Sequence, residues 1–298
     1  MHIKNLRYFF ILPIALSVLS LLAIALWGLK PGIDLAGGSR LQVSYTAGSP
    51  DVAQVQNAVS KLGLGEVRVQ PIGTDGYVLQ ERFLTNDEKN TLENSLSNLG
   101  QMHEDEFTSV GPALGNELLK KGLIALGLVT LSIILFIAFA FRKVSKPVAS
   151  WKYGVVAIVT LMHDVLIPTG VFALLGFFNG AEVDSLFIVA LLTVLGISIN
   201  DTIVVFDRIR ENLSLNEQHR KREEFSEVVW RSIRQTVVRS VNTSLAVVIV
   251  LFSLYLLGPA TTADFALTLI VGMIAGTYSS IFLAAPLLVV WEKWQKKQ

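Results

Sequence analysis

Six long apolar stretches, separated by polar segments, dominate the pattern of the chain. A helix needs about 20 residues to cross a hydrocarbon layer about 30 Å thick, and each stretch reaches that length. The pattern therefore predicts six transmembrane helices. They are expected at about Tyr8 to Leu29, Lys121 to Phe141, Tyr153 to Phe178, Ser185 to Phe206, Val237 to Leu257 and Phe265 to Trp291.

The first stretch also has the basic start of a secretory signal, since Lys4 and Arg7 precede it. Its apolar run is longer than a typical signal core, and no small-x-small cleavage site follows before Lys30. We therefore favour a retained membrane helix over a cleaved signal.

The segment between the first two stretches, residues 30–118, predicts a small α+β domain. Its order of elements is β-α-β-β-α-β, which suits a ferredoxin-like sandwich with two helices on one face of a four-stranded sheet. Strands are predicted at Arg40 to Tyr45, Glu66 to Gln70, Tyr77 to Arg82 and Glu104 to Val110, and helices at Asp51 to Leu62 and Asn86 to Leu99, the latter capped by Asn86 or Thr85.

The distribution of lysine and arginine predicts the orientation in the membrane, because basic residues stay on the cytoplasmic side. The connections Asn179 to Asp184 and Gly258 to Asp264 contain none. Both termini are therefore expected in the cytoplasm and residues 30–118 outside, between a first helix within residues 1–29 and a five-helix region of residues 119–298. The basic flanking residues are Lys4, Arg7, Arg142, Lys143, Lys146, Lys152, those from Arg208 to Arg234, Lys293, Lys296 and Lys297.

The cytoplasmic connection of residues 207–236 mixes many charges with apolar residues at partly helical spacing. Two interpretations follow. The segment is either an amphipathic helix that packs on the membrane or on the protein, or a solvated linker helix without a ligand. The apolar residues concerned are Ile209, Leu213, Phe225, Val228, Val229, Trp230 and Ile233.

Composition excludes several classes of function. Of the 298 residues, 52% are hydrophobic and 16% charged, with a mean hydropathy of +0.54, which is not the composition of a soluble enzyme. A net charge of +1 gives no electrostatic reason to expect nucleic acid as a partner. The chain has no cysteine, and its 4 histidines lack metal-ligand spacing, so we expect no metal and no cofactor.

Ionisable side chains inside membrane helices are the strongest indication of function. Each costs about 2.5 to 3.5 kcal/mol on insertion scales, so such residues usually face a partner, a cavity or a proton path. Three predicted helices carry polar groups toward the middle of the membrane. These are His163 and Asp164 on the third, Asn200 and Asp201 on the fourth, and Arg239, Asn242, Thr243 and Ser244 on the fifth.

Asp201 and Arg239 are the central pair of this set. A nearby guanidinium favours a carboxylate, whereas desolvation favours the protonated acid. Movement of Arg239 relative to Asp201 would therefore load and unload a proton, which is the minimum needed to couple proton flow to a conformational change. The alternative is a structural ion pair that only lets two helices pack.

The other polar residues leave alternatives open. His163 and Asp164 are either proton relays or hydrogen-bonding supports between helices. Asn200, Asn242 and Thr243 are expected to give polar support to helix contacts. Pro168, one turn after Asp164, predicts a local irregularity that exposes backbone carbonyls. Two glycines in G-x-x-x-G spacing, Gly272 and Gly276, predict a close helix approach, as do Gly196 and Ser198.

Five motifs, in order along nearly the whole chain, resemble those of the SecD/SecF family. The short domain after the first helix, and the fourth-helix motif, are similar to the SecF side of that family. The motifs are GIDLAGGS (32–39), SVGPALGNEL (109–118), His163-Asp164, SINDTIVVFDRIREN (198–212) and RSVNTSL (239–245).

The resemblance implies six helices that form half of an RND-type bundle, in the bacterial inner membrane. It implies an accessory role in the Sec translocon, in which the proton-motive force helps to draw an unfolded preprotein outward. Asp201 would carry the proton, Arg239 would switch it, and His163 and Asp164 would support the relay. The implied partners are SecD as a heterodimer and the SecYEG channel, with YajC and YidC as further candidates; protons and sodium ions both remain candidate coupling ions.

Three other functions compete with this one. A passive scaffold subunit needs only the polar ladder and no transport. An intramembrane aspartyl protease needs two acids, such as Asp164 and Asp201, but Ile199 and Asn200 precede Asp201 where such proteases have G-x-G. A stand-alone RND exporter would need two halves and larger outer domains. No catalytic residue is therefore expected.

Overall fold

The computed structural model describes residues 6–46, 48–140 and 148–295. Their elements, in chain order, are α1 (Leu6–Trp27), α2 (Ile33–Ala36), β1 (Gly38–Tyr45), α3 (Val52–Ser60), β2 (Arg68–Ile72), β3 (Gly76–Glu81), α4 (Asn86–Ser97), β4 (Met102–Val110), α5 (Pro112–Ala140), α6 (Ser150–Phe178), α7 (Ser185–Gln218), α8 (Phe225–Leu257), α9 (Ala260–Ser279), a π-helical turn (Ser280–Ala284) and α10 (Ala285–Gln295).

The described residues form two compact units. The membrane unit takes its residues from Met1–Lys30, Ile124–Glu182 and Leu186–Gln298. The sheet unit comprises Pro31–Leu123 and the short segment Val183–Ser185. The second unit therefore includes three residues from the connection between α6 and α7.

Six helices of the described chain are long and apolar enough to cross a membrane, which confirms the predicted number. The last of them runs from Thr261 to Gln295 through α9, the π-helical turn and α10. The π-helical turn was not predicted. Such turns insert one residue into a helix and are frequent at functional sites.

The ends of three helices differ from the predicted ones. Helix α5 begins at Pro112, directly after β4, and the polar connection of residues 207–236 continues α7 and α8 instead of forming a separate helix. The reason is burial, because Ile209, Phe225, Val229 and Ile233 are part of the apolar core of the membrane unit. Of the two interpretations of this connection, packing on the protein is the one observed.

Close packing explains the two glycines of the last membrane helix. A Cβ atom on Gly272 would overlap the side chain of Val194, and one on Gly276 would lie 2.9 Å from Cβ of Ser198. Helices α9 and α7 therefore approach as the G-x-x-x-G spacing predicts. A Cβ on Gly196 would meet nothing within 4 Å, so the prediction of a close contact there was wrong.

The sheet unit has the predicted β-α-β-β-α-β order. Its four strands are antiparallel in the order β2-β3-β1-β4, and helices α3 and α4 pack on one face. Thr85 caps α4 in a reciprocal capping box with Glu88. The core between sheet and helices is apolar and contains Leu41, Val43, Val55, Val59, Leu79, Leu92 and Leu96.

Two glycines form the turn into β1, at φ +81° for Gly37 and +149° for Gly38. These are backbone angles that residues with a Cβ rarely adopt. There is also no room for a side chain, because a Cβ on Gly37 would lie 2.6 Å from Cα of Pro112 and one on Gly38 2.7 Å from the carbonyl oxygen of Glu81. Because these residues have no side chain, the turn before β1 packs directly against Pro112 at the start of α5 and against Glu81 at the end of β3.

Several basic residues used to predict orientation lie outside the described residues. They are Lys4, Arg142, Lys143, Lys146, Lys296 and Lys297.

Candidate functional site

Asp201 lies inside the membrane unit in a small network of hydroxyl groups. Its side chain is 6% exposed, and one carboxylate oxygen accepts a hydrogen bond from the hydroxyl of Ser244 at 3.3 Å. The hydroxyl of Thr277 donates in turn to Ser244 at 2.6 Å. We call these three residues, one each on α7, α8 and α9, the Asp201 network.

Asp164 lies at the centre of a second and denser network. One of its oxygens accepts hydrogen bonds from the hydroxyls of Ser198 and of Ser279, the latter at 2.9 Å. The other oxygen lies 2.9 Å from Nδ1 of His163, and Nε2 of that ring lies 2.6 Å from the hydroxyl of Tyr278. We call these five residues the Asp164 network.

The Asp164 network has the geometry of a proton relay. With a neutral imidazole protonated at Nδ1, His163 donates to Asp164 and its Nε2 accepts from the hydroxyl of Tyr278. A proton arriving at Nε2 and another leaving from Nδ1 would pass through the ring without moving it. The same contacts also hold α6 against α9, so both interpretations of His163 remain compatible with the geometry.

The two networks use neighbouring positions on the same two helices. Ser198 and Asp201 are three residues apart on α7, which places them on one face. Thr277 and Ser279 flank Tyr278 on α9, immediately before the π-helical turn. A change in the turn of α9 at this point would therefore affect both networks together.

Apolar layers lie on either side of the networks along both helices. Toward the start of α7 and α9, Val194 and Met273 belong to one apolar cluster. Beyond the networks, Val205 and Ile281 belong to another. Apolar side chains thus lie next to the two networks in both directions along α7 and α9.

Two further buried hydroxyls lie beside the Asp201 network. Thr202 follows Asp201, and Ser240 precedes Ser244 by one turn. Their side chains are 1% and 2% exposed, and neither hydroxyl has a hydrogen-bond partner among the residues described. Buried hydroxyls of this kind are usually satisfied by water, so this side of the network is suited to internal water molecules.

Arg239 does not form the direct pair with Asp201 that the sequence suggests. Its side chain is exposed, and within the described part of the chain it makes no ion pair within 4.0 Å. The direct partner of Asp201 is Ser244, and the switching role of Arg239 stays a prediction.

The residues expected to support helix contacts are exposed, as Arg239 is. Asn200, Asn242 and Thr243 are all exposed in the isolated chain, and the Thr243 hydroxyl bonds only the carbonyl of Arg239 on its own helix. Among the residues that the structure describes, they make no contact between helices like those of Ser198 and Ser244. Their supporting role stays a prediction, and it would have to concern another protein chain.

Pro168 does not interrupt α6, which continues to Phe178. Because proline has no N–H, it leaves the carbonyl oxygen four residues earlier without its usual donor, and that carbonyl belongs to Asp164. The expected irregularity is therefore confined to one missing hydrogen bond at the centre of the network.

Sequence reasoning missed three of the eight residues in the two networks. Ser198 and Ser244 lie within motifs that were singled out, but their contacts with the two acids were not foreseen. Thr277, Tyr278 and Ser279 were missed, although four consecutive polar residues, 277–280, inside an apolar helix are a usable signal. Among the described residues, no group of three or more histidine or acidic side chains is placed to hold a metal ion.

Comparison with known proteins agrees with the motifs. Residues 91–294 match the family model of the protein export membrane protein SecD/SecF, C-terminal, and residues 28–48 match that of the SecD/SecF GG motif. The protein translocase subunit SecF of Thermobaculum terrenum is 42% identical to this chain over an alignment of 300 residues, gaps included. The alignment covers 96% of this chain and 92% of that protein.

Two SecDF proteins show the same likeness over part of a longer chain. The protein translocase subunit SecDF of Bacillus subtilis is 31% identical over 297 residues, which cover 98% of this chain and 38% of that protein. The crystal structure of SecDF from Thermus thermophilus, a translocon-associated membrane protein, superposes with a TM-score of 0.83 at 31% identity, covering 97% of this chain and 38% of that one. On this evidence the chain belongs to the SecD/SecF family of protein export membrane proteins, among its SecF members.

Proposed function

We propose that this chain is an accessory subunit of the Sec translocase that uses the proton-motive force to promote preprotein export. In this proposal it works with SecD beside the SecYEG channel of the bacterial inner membrane, with YajC and YidC as further partners. Both termini face the cytoplasm, the sheet unit lies outside, and the cargo is an unfolded preprotein.

The observation that carries the proposal is the environment of Asp201. Its carboxyl group is buried in a membrane helix, where the hydroxyl of Ser244 is its one hydrogen-bond donor among the described residues. Such a group costs several kcal/mol when charged and far less when protonated. It can therefore alternate between two states whose balance depends on how close Arg239 stands.

The Asp164 network supports the same proposal. A second buried carboxyl group, with a histidine and a tyrosine in a line of hydrogen bonds, lies on the helices that hold the Asp201 network. A scaffold that only packs helices does not require two buried acids between apolar layers. A path for protons through the membrane requires sites of this type.

The exposed polar residues support SecD as the partner. Arg239, Asn200, Asn242 and Thr243 would be unfavourable against lipid in the middle of a membrane. A second bundle packed on this surface would remove them from lipid and would restrict the movement of Arg239. The Bacillus subtilis relative, named SecDF, is one chain of which this chain matches 38%.

The test is export by reconstituted complexes that contain SecYEG, SecD and this chain. We expect Asp201→Asn to abolish the stimulation of export by a proton gradient, because the amide cannot exchange a proton. Asp207→Asn is the matched control, since Asp207 is on the same helix but exposed and paired with Arg210 at 3.1 Å. It should export like the parent.

Assembly must be measured beside export. Co-purification of SecD with Asp201→Asn at the level of the parent would show that the loss is one of function and not of folding. Full gradient stimulation in Asp201→Asn would contradict the proposal and would leave the passive scaffold as the better description.

A further inference from the structure

The connection between α6 and α7 is held by the start of the sheet unit. The hydroxyl of Ser185 donates to the carboxylate of Asp34 at 2.7 Å. The backbone N–H of Gly32 donates to the carbonyl oxygen of Val183 at 2.9 Å, and Pro31 pairs with Val183 in a parallel bridge. These contacts are why Val183–Ser185 belongs to the sheet unit and not to the membrane unit.

Ser185 is also the first residue of α7, the helix that carries Ser198 and Asp201. Asp201 is sixteen positions after Ser185, or about 24 Å along a continuous helix. A helix transmits axial displacement and rotation over such a length, because its backbone hydrogen bonds keep it rigid. A movement of α7 caused at Asp201 therefore reaches the hydroxyl that bonds Asp34.

Asp34 is in turn fixed within the sheet unit. It lies in the short helix α2, where Leu35 is buried and the carbonyl of Ile33 accepts a hydrogen bond from the N–H of Gly37 at 2.9 Å. Strand β1 begins at the next residue, Gly38. A displacement of Asp34 is thus passed to the central part of the sheet within four residues.

We propose that these contacts of Pro31, Gly32 and Asp34 with Val183 and Ser185, here called the Asp34 clasp, transmit the movement of α7 to the sheet unit. Asp34 is a positioning residue in this proposal and carries no proton. The proposal rests on the proposed function of Asp201. It assigns to Asp34 the step between proton binding and the movement of the domain that would act on the preprotein.

The chemistry of the clasp suits this task. A hydrogen bond from a hydroxyl to a carboxylate is about twice as strong as one between neutral groups. It therefore holds under load better than the backbone contact beside it. It is also a single contact between two side chains, which can be removed without changing the residues of either buried network.

The experiment separates proton movement from export in the reconstituted complex. Asp34→Ala and Ser185→Ala should each lower gradient-stimulated export by about tenfold, the effect of losing one charge-assisted hydrogen bond. Gradient-driven proton flux through the complex should stay within about twofold of the parent. Asp34→Asn keeps an acceptor for Ser185 and should restore most of the export.

Ser44→Ala is the matched control. It removes a hydrogen bond of the same type in the same unit, from Ser44 to Asp105 at 2.9 Å, near the end of β1 that lies away from Asp34. Export by this variant should equal that of the parent. A loss as large as that of Ser185→Ala would mean that any weakening of the sheet unit lowers export, which would overturn the clasp.

The results distinguish this proposal from the proposed function. If Asp201→Asn stops gradient-stimulated export while Asp34→Ala and Ser185→Ala keep it, the proposed role of the clasp is wrong and the proton-driven function stands. If proton flux falls together with export in the clasp variants, their defect is in the proton path and the clasp is also wrong. If Asp201→Asn keeps full export, the proposed function itself fails.

Discussion

The hydroxyl of Thr277 lies 2.6 Å from the hydroxyl of Ser244, which bonds the buried carboxylate of Asp201. This contact joins α9 to α8 and places a second hydroxyl behind the only hydrogen-bond donor that the described residues offer to Asp201. Within the described part of the chain, the carboxyl group is therefore held by a hydroxyl and not by a salt bridge. A hydroxyl can donate to a carboxylate or accept from a carboxylic acid, so this arrangement accommodates both protonation states of Asp201.

Removing the hydroxyl of Thr277 should weaken gradient-stimulated export without abolishing it. Thr277→Val keeps the shape of the side chain but leaves Ser244 with no donor behind it. We expect gradient-stimulated export to fall by about tenfold, the cost of one hydrogen bond in a water-poor site, whereas Asp201→Asn abolishes it. Thr193→Val is the control, because that hydroxyl donates to the carbonyl of Val189 on its own helix and to no other group of the described residues.

The hydroxyl of Tyr278 decides between the two interpretations of His163. Tyr278→Phe removes the 2.6 Å hydrogen bond but keeps the ring, whose edge-to-face contact with the imidazole has a centroid distance of 5.4 Å. If His163 relays protons, gradient-driven proton flux should fall by about tenfold while the thermal unfolding midpoint in detergent changes little. An unchanged flux with a lowered midpoint would show that the histidine only supports the helices.

Substitutions at Gly272 and Val194, which lie in close contact, should compensate each other in stability. Gly272→Ala adds a methyl group where the Val194 side chain already stands, so we expect a loss of about 2 kcal/mol in stability from overpacking. Val194→Ala in the same chain makes room and should restore most of that loss. A double-mutant cycle on unfolding in detergent measures the coupling, and strictly additive effects would contradict the close approach of α7 and α9.

Glu81 should make the sheet unit less stable as the pH rises. Both of its carboxyl oxygens are buried without a hydrogen-bond partner among the described residues. This burial raises the pKa of Glu81 to about 7. The charge of Arg82 opposes the rise, and the charge of Glu88 adds to it. Because the folded state binds this proton more tightly than the unfolded state, stability falls between the unfolded pKa of 4.5 and about 7.

Glu81→Gln should remove that dependence. We expect the amide to stabilise the sheet unit by about 2 kcal/mol at about pH 8 and to have little effect at about pH 4, where the carboxyl group is mostly protonated in both the folded and the unfolded state. Hydrogen exchange of the β1 and β3 amides in the full chain measures the difference. Glu66→Gln, at an exposed position of the same unit, should show no such change.

The amino-acid sequence was enough to predict the number of membrane helices, the α+β domain after the first of them, and the family. Long apolar runs have a local cause, since each helix must be apolar enough for the membrane whatever its neighbours are. Strand and helix alternation in residues 30–118, and motifs such as the one around Asp201, are equally local signals. Asp164 and Asp201 could be singled out for the same reason, as acids in apolar surroundings.

The partners of those acids could not be read in this way. Ser244 and Ser279 bond the two carboxyl groups directly, whereas Thr277 and Tyr278 bond the neighbouring Ser244 and His163. These contacts join helices far apart in the sequence and depend on how each helix is rotated. That rotation is set by close packing such as Gly276 against Ser198. The same holds for the surface that Arg239 occupies, which faces away from the core of its own chain.

The extent of α7 and α8 and the clasp at Asp34 have the same origin. A run of charged residues ends a membrane span in any local analysis, but Ile209 and Phe225 continue the helices because the folded membrane unit buries them. Likewise Ser185 is an ordinary first residue of a helix until folding brings it against Asp34, 151 residues away. Local composition thus specifies which segments enter the membrane, whereas contacts between distant residues specify which polar groups meet there.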